Sequence, residues 1–221
     1  WLWLFASLVI TAAAFGLASI RWLEVCRVLG KPQNFRDVFS HFLAGQFVGN
    51  FLPTTVGGDI LRVSRLGSQI SDHSTAFASV VIERLTGWVV LPLITLLTLV
   101  FNPELVSTRG GQIALALAVG TLIVLSFTIY LAEHPRFGGR LRGENRVTAS
   151  LAAVHRGLNA YRRVPREMLR LLTVAVAFQL CLVVAVICIA KAIGVGLGPA
   201  VWLAFIPMVF VAQVLPVAIG G

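Results

Sequence analysis

Apolar runs alternate with short polar breaks along the whole chain, and their lengths fall into two classes. Long runs occupy Trp1 to Ile20, Ser74 to Val100, Gln112 to Ala132 and Leu171 to Ile193. Each reaches the ~20 residues a helix needs to cross about 30 Å of hydrocarbon, so four spans are predicted, the first closed by Arg21. Two shorter runs, Val38 to Pro53 and Ala200 to Leu215, are marginal for a crossing. The first is interrupted by His41, Gly45, Gln46, Gly49 and Asn50, and the second contains Pro207. The ~10-residue alternation of a transmembrane barrel strand is absent. The pattern predicts an all-α polytopic membrane protein built as a transmembrane helix bundle.

Both short runs end on the same pattern, Leu-Pro-x-x-x-Gly-Gly, at Leu52 to Gly58 and at Leu215 to Gly221. A helix breaker and two glycines at membrane depth leave backbone amides unpaired at several kcal/mol each, so such a segment persists only where protein or a wet cavity supplies partners. Paired, interrupted segments in corresponding halves point to the substrate site of a transporter. The plain alternative is chance recurrence in a chain rich in Leu and Gly. Against it, both copies end short runs and both carry a carboxamide two residues before the Leu, Asn50 and Gln213.

Composition sharpens the class. With 57% hydrophobic and 12% charged residues in 221, and a mean hydropathy of +0.89, the chain has too little polar surface for a water-soluble domain. The net charge of +9 does not point to nucleic acid, because the basic residues lie between apolar runs and no nucleic-acid motif is present; anionic lipid headgroups are the nearer partner. Four Lys/Arg fall between Arg21 and Arg36, two at Arg62 and Arg65, and nine between Arg136 and Arg170, whereas the loops after Val100 and Ala190 hold only Arg109 and Lys191. The basic side is expected to be cytoplasmic. The segment between Arg36 and Arg62 must then enter and return on one side or pair with another short segment, and a re-entrant hairpin is the simplest solution. This gives a first re-entrant hairpin over 37–58, a basic cytoplasmic segment over 134–170 and the start of a second re-entrant hairpin over 199–221, entering from the opposite face. The two hairpins form an inverted repeat within one transmembrane domain, 1–221. The chain opens on Trp1 and stops inside a motif at Gly221, so a piece of a longer protein is expected. Cys26, Cys181 and Cys188 read as packing residues; the last two lie about 10 Å apart along one predicted helix, too far to bridge.

Candidate chemistry gathers after the first motif. "GGDILRVSRLGSQ" reads as Asp59 capping a short amphipathic helix, with Ile60, Val63, Leu66 and Ile70 on one face and Arg62, Arg65 and Gln69 on another. Two readings stand side by side: an interfacial helix with arginines at headgroup level, or Arg62 as a bidentate phosphate ligand beside the amides of Gly57 and Gly58. In "ASVVIERLTG", Glu83 and Arg84 sit about 10 Å into the bilayer, where an ionisable group needs a partner or an aqueous pathway. Adjacent helical residues point about 100° apart and cannot pair well with each other, so Asp59 for Arg84 and Arg62 for Glu83 are the expected partners. A purely structural ion pair is compatible with the same pattern. Ala76, Ser79, Glu83 and Gly87 form a small-residue stripe expected to meet Gly45 and Gly49. In the basic stretch, Val147, Leu151, Val154, Leu158 and Tyr161 trace the apolar stripe of a cytoplasmic or interfacial helix. His41, His73, His134 and His155 lack ligand spacing, so no metal is expected, and no cofactor motif is present.

"GQFVGNFLPTTVGGDILRVSRL" followed by "AFASVVIERLTG" resembles the membrane region of the lysylphosphatidylglycerol synthase family, the flippase-like domain of multiple-peptide-resistance factors and of related stand-alone membrane proteins. The resemblance is close from Gly45 to Gly87. It implies a multi-pass bacterial or archaeal inner-membrane protein with two re-entrant elements, proposed to move aminoacylated phosphatidylglycerol or other lipid-linked molecules between leaflets. The family pattern singles out Asn50, Pro53, Gly57, Gly58, Asp59, Arg62, Glu83 and Arg84. Thr54 and Thr55 of the first motif, with Gln213, Pro216, Gly220 and Gly221 at the second, complete the candidate substrate-binding set. In synthase members aminoacyl transfer belongs to a separate soluble domain, and none of it is visible in this chain. A lipid flippase is the leading expectation, with no catalytic residue and with anionic or aminoacylated phospholipid as partner. The rivals are a membrane transferase using Asp59 or Glu83 as base, and a membrane anchor for a soluble synthase; a homo-oligomer and an associated synthase domain are left open.

Overall fold

The computed structural model describes residues 1–51, 56–133, 146–162 and 164–214, and every regular element among them is an α-helix. In chain order these are α1 (Leu2–Val28), α2 (Phe35–Phe51), α3 (Val56–Ile70), α4 (His73–Phe101), α5 (Pro103–Val106), α6 (Arg109–Glu133), α7 (Arg146–Arg162), α8 (Pro165–Ala192) and α9 (Pro199–Val214). Among the described residues, α1, α4, α6 and α8 are long and apolar enough to cross a membrane, and they correspond to the four runs read from the sequence. The chain is therefore a polytopic helix bundle.

Small side chains govern how these helices meet. Lipid tails are as apolar as Leu, so helices associate in a membrane through close packing and hydrogen bonds more than through the hydrophobic effect. Ala14 and Ala18 of α1 and Ala76 and Ala78 of α4 are fully buried, and beside them the Trp22 indole donates to Ser79 Oγ at 2.9 Å. Ala18, Trp22, Val38, Phe42, Leu66 and Ala76 form one core cluster that joins α1, α2, α3 and α4. Helices α1 and α8 run antiparallel: Arg170 reaches Glu24 at 3.1 Å near one end, and Lys191 lies 4.6 Å from the Trp3 ring near the other.

Helices α2 and α3 pair as an antiparallel hairpin. At its open end His41 Nε2 and Gln69 Oε1 are 2.7 Å apart, and Gln69 donates to Asp37 at 3.3 Å. Toward the closed end the backbones touch at Gly45 and Gly58. A methyl group at Gly45 would stand 2.7 Å from Arg62 Cγ and 2.9 Å from the Gly58 carbonyl oxygen, and one at Gly58 would run into the Gly45 carbonyl. The small-residue contact expected from the sequence thus takes a different form: Gly45 and Gly49 face Gly58 of α3, whereas Ser79 and Gly87 of α4 face α1 and α8. Glycines stand at this contact because the two backbones come too close there for a β-carbon.

Helix α9 approaches from the other end. Phe205 packs over Gly110 at the start of α6, Thr95 donates to the Ala204 carbonyl at 3.0 Å, and Met208 joins Leu91, Ala114 and Ala118 in a second cluster. The helix continues through Pro207 to Val214.

Several sequence expectations are corrected. Arg21 does not close the first span; it lies buried inside α1, because a carboxylate on α4 meets it there. Helix α3 starts at Val56, so Asp59 is in its first turn rather than at a cap, and Arg62 shares the buried side with Leu66 while Ile60 is exposed. The loop after Val100 contains α5, and α8 begins at Pro165, six residues before the apolar run; proline fits the first helical position, where its missing N–H is unneeded. The stripe on α7 packs at Val154, Leu158 and Tyr161 and takes in Ala153 as well, whereas Leu151 is exposed; Ile82 and Leu29 pack over Gly157 beside it. The side chain of Val147, Pro53 to Thr55 of the first motif, residues 134–145 and the second motif from Leu215 lie outside the described residues.

Candidate functional site

Glu83 stands ten residues into α4, about 15 Å along the helix axis. A carboxylate at that depth persists only with cationic partners, and it has two from different helices. Arg21 of α1 pairs with one oxygen. Arg62 of α3 donates to the other at 3.1 Å. All three groups are buried. The Arg62 guanidinium also lies 4.1 Å from the Trp22 ring and 5.1 Å from the Phe42 ring, and Arg21 lies 4.8 Å from the Phe178 ring, so each cation is further stabilised by an aromatic face.

The neighbouring Arg84 points away from Glu83 and grips Asp59 at two points, with Nε 2.7 Å from Oδ2 and Nη2 donating to Oδ1 at 2.9 Å. Arg62 Nη1 lies 3.4 Å from the same Asp59 oxygen, so both pairs belong to one network. The partners expected from depth alone, Arg62 for Glu83 and Asp59 for Arg84, are the ones that form.

These groups border a cavity of about 320 Å³. Its polar lining is Arg21, Arg62, Glu83 and Arg84 with the carboxamides Gln46, Gln179 and Gln213; Phe42, Trp88 and Phe178 supply aromatic walls. A more apolar groove of about 470 Å³ between α3 and α4, lined by Ile60, Val63, Phe77 and Val81, shares Arg84 and Trp88 with the cavity. A larger cleft of about 920 Å³ lies at the basic end among Arg27, Arg156 and Arg170. Its buried carboxylate, Glu24, is held by Arg27 at 2.9 Å and Arg170 at 3.1 Å.

The candidate residues divide accordingly. Arg62, Glu83, Arg84 and Gln213 line the cavity, and Asp59 adjoins it through Arg84. Gly57 and Gly58 lie in the first turn of α3, and the face of Gly58 is filled by Gly45, which makes its observed role close packing rather than an open amide surface. Asn50 is exposed in the last turn of α2 and does not line the cavity; Gln46, one turn earlier, takes the place opposite Gln213. Pro53, Thr54, Thr55, Pro216, Gly220 and Gly221 are outside the described residues.

Arg21 and Gln179 were missed. An arginine after an apolar run looks the same whether it anchors a span at the headgroups or sits inside it; the signal in favour of the latter was the apolar residue pair Trp22-Leu23 directly after it. Gln179 is a lone carboxamide amid the apolar run of α8, a polar residue that needs a hydrogen-bonding neighbour in hydrocarbon.

Chemically, the site offers hydrogen-bond donors on cations. Arg21 Nε and Nη1 and Arg62 Nε are buried without a hydrogen-bond partner, a condition that favours an anionic acceptor. Comparison with curated proteins and with solved structures gives no match. The family profile described as the lysylphosphatidylglycerol synthase TM region matches residues 1–221, and the chain belongs to that family.

Proposed function

We propose that this domain is a lipid flippase in which a phospholipid headgroup crosses through the cavity while its acyl chains stay in the bilayer. The observation that carries the reading is a polar, partly unpaired guanidinium cluster reached by helices from opposite ends, α2 and α3 from the basic end and α9 from the other. A phosphate cannot enter hydrocarbon unaccompanied, and Arg21, Arg62 and Arg84 provide replacement partners. The groove between α3 and α4 meets the cavity at Arg84 and Trp88, and gives the acyl chains a lateral path. On this reading α2 and α3 form a re-entrant hairpin, α9 leads into its inverted counterpart, the two halves form an inverted repeat, and the basic end faces the cytoplasm of a bacterial or archaeal inner membrane. The cavity also favours transport over a mere anchor for a soluble synthase, since an anchor needs no buried polar chamber.

Purified protein reconstituted with a fluorophore-labelled phospholipid, quenched from outside, tests the proposal. Transbilayer movement is expected, and Arg84→Gln, whose parent side chain is 36% exposed and so contributes modestly to folding, should slow it about tenfold or more. A folded protein that moves no phospholipid rejects the proposal. A covalently altered lipid in the same vesicles would instead favour a transferase.

A further inference from the structure

Arginines from three helices meet at the basic end of the bundle. Arg27 in the last turn of α1, Arg156 of α7 and Arg170 of α8 line the cleft of about 920 Å³, which shares no lining residue with the cavity around Glu83. Glu24 fixes two of them from behind. Arg27 Nη1 and Arg170 Nη2 lie 2.9 and 3.1 Å from the same Glu24 oxygen, Oε1. The Glu24 side chain is 6% exposed, whereas those of Arg27 and Arg170 are 47% and 61% exposed. A guanidinium carries five N–H donors, so each arginine is anchored through one and keeps others for the cleft. The Arg156 side chain is exposed and has neither an ion pair nor a hydrogen bond among the described residues. The other carboxylate on the lining, Glu167, is exposed in the first turn of α8, where a negative charge suits the helix dipole.

We infer that this cleft binds the headgroup of an anionic phospholipid from the leaflet at the basic end, with Arg27, Arg156 and Arg170 around the phosphate and Glu24 positioning two of them. Guanidinium forks match phosphate oxygens, and basic pockets between membrane helices take such headgroups. The height of the cleft favours a lipid over a soluble anion. Arg170 directly precedes the apolar run from Leu171, and Arg27 stands one residue before the end of α1, so both lie where hydrocarbon gives way to headgroups. Met168 and Leu169, on the same turns of α8, are exposed apolar side chains that suit contact with acyl chains. Asn159, 3.0 Å from His155, adds a carboxamide to the lining, a group that both donates to and accepts from headgroup hydroxyls. The site is separate from the transport cavity, and its test does not depend on transport.

The test uses the whole chain in vesicles of phosphatidylcholine with a minor share of phosphatidylglycerol. A photocrosslinking benzoylphenylalanine replaces Ala160, which lines the cleft, and mass spectrometry identifies the captured lipid. Phosphatidylglycerol is expected among the adducts at about tenfold or more over its share of the bilayer. Arg156→Gln should remove most of that enrichment while leaving the thermal midpoint unchanged, since the parent side chain is exposed. Glu24→Gln separates a built site from diffuse positive charge. It deletes a negative charge, yet it is expected to lower the enrichment, because Arg27 and Arg170 lose the carboxylate that sets them in place. Adducts that mirror the bilayer composition, enrichment unaffected by Arg156→Gln, or enrichment that rises in Glu24→Gln would each overturn the proposal. Loss of the lipid adduct on adding soluble glycerol 3-phosphate would assign the cleft to a free phosphate compound and overturn the lipid assignment.

Discussion

Glu83 joins three helices through one carboxylate, because Arg21 and Arg62 approach its two oxygens from α1 and α3. Removing a buried partner leaves uncompensated charge, which costs more than the pair contributed. Glu83→Gln strands two guanidiniums and is expected to destabilise the protein by about 3–5 kcal/mol, read as a lower thermal midpoint in detergent. Adding Arg21→Gln should cost much less than the sum of the single substitutions, since the two groups share an interaction. An unchanged midpoint in Glu83→Gln would remove Glu83 from its place as the junction. At this scale the sequence was informative where depth alone imposes a requirement: a charge ten residues inside a span must have a partner, and few were within reach. It was ambiguous on Arg21, whose position at the end of an apolar run has an ordinary explanation.

Helix ends were less legible than helix existence, and the reason is physical. Hydropathy detects the stretch that lies in hydrocarbon, whereas the polar first turn of α8 carries no such signal, so α8 begins before its predicted start; α3 begins at Val56, before the Asp59 that reads as its cap. The start of α4 is marked by chemistry instead. Asp72 accepts from the Thr75 amide at 3.0 Å and from the Thr75 hydroxyl at 2.6 Å, an N-cap that satisfies one of the helix's free amides. Those hydrogen bonds, the Thr75 hydroxyl first, hold the Asp72 carboxyl below its usual range. A carboxyl with a depressed folded value stabilises the fold above its unfolded pKa of about 3.9, and that contribution is lost as pH falls through the folded value. Asp72→Ala is expected to cost about 0.5–2 kcal/mol at neutral pH. The share that depends on pH is smaller, because the group is largely solvated and screened. Thermal midpoints of the parent and of Asp72→Ala should therefore differ at pH 7, and the gap should narrow without closing as pH falls below about 3.9; a gap that does not narrow in acid would separate the cap from its charge.

Across the whole molecule, antiparallel packing sorts the charges by end. Glu24, Arg27 and Arg170 meet where α1 finishes and α8 begins, α7 covers the same end through Ala153 and Val154, and the open end of the α2–α3 hairpin brings Asp37 beside Gln69. Arg27, Lys31, Arg36, Arg65, Arg156 and Arg170 therefore collect at one end, whereas Arg109 and Lys191 stand at the other. The sequence made this legible as an alternation of basic and nearly neutral loops that puts the two short elements at opposite faces, but not that Gln46, Gln179 and Gln213 would line one cavity with Arg62, since that depends on packing. Lysine and arginine bias sets orientation through loops near the span ends, so the basic end is expected to face the cytoplasm. With Cys26, Cys181 and Cys188 replaced by Ser, single cysteines at the exposed positions Arg156 and Ser107 report the two ends. A membrane-impermeant thiol reagent should label Ser107→Cys in intact cells and Arg156→Cys only after permeabilisation. The reverse pattern would invert the bundle, and labelling of both from outside would break the assignment of the basic end to one side of the membrane.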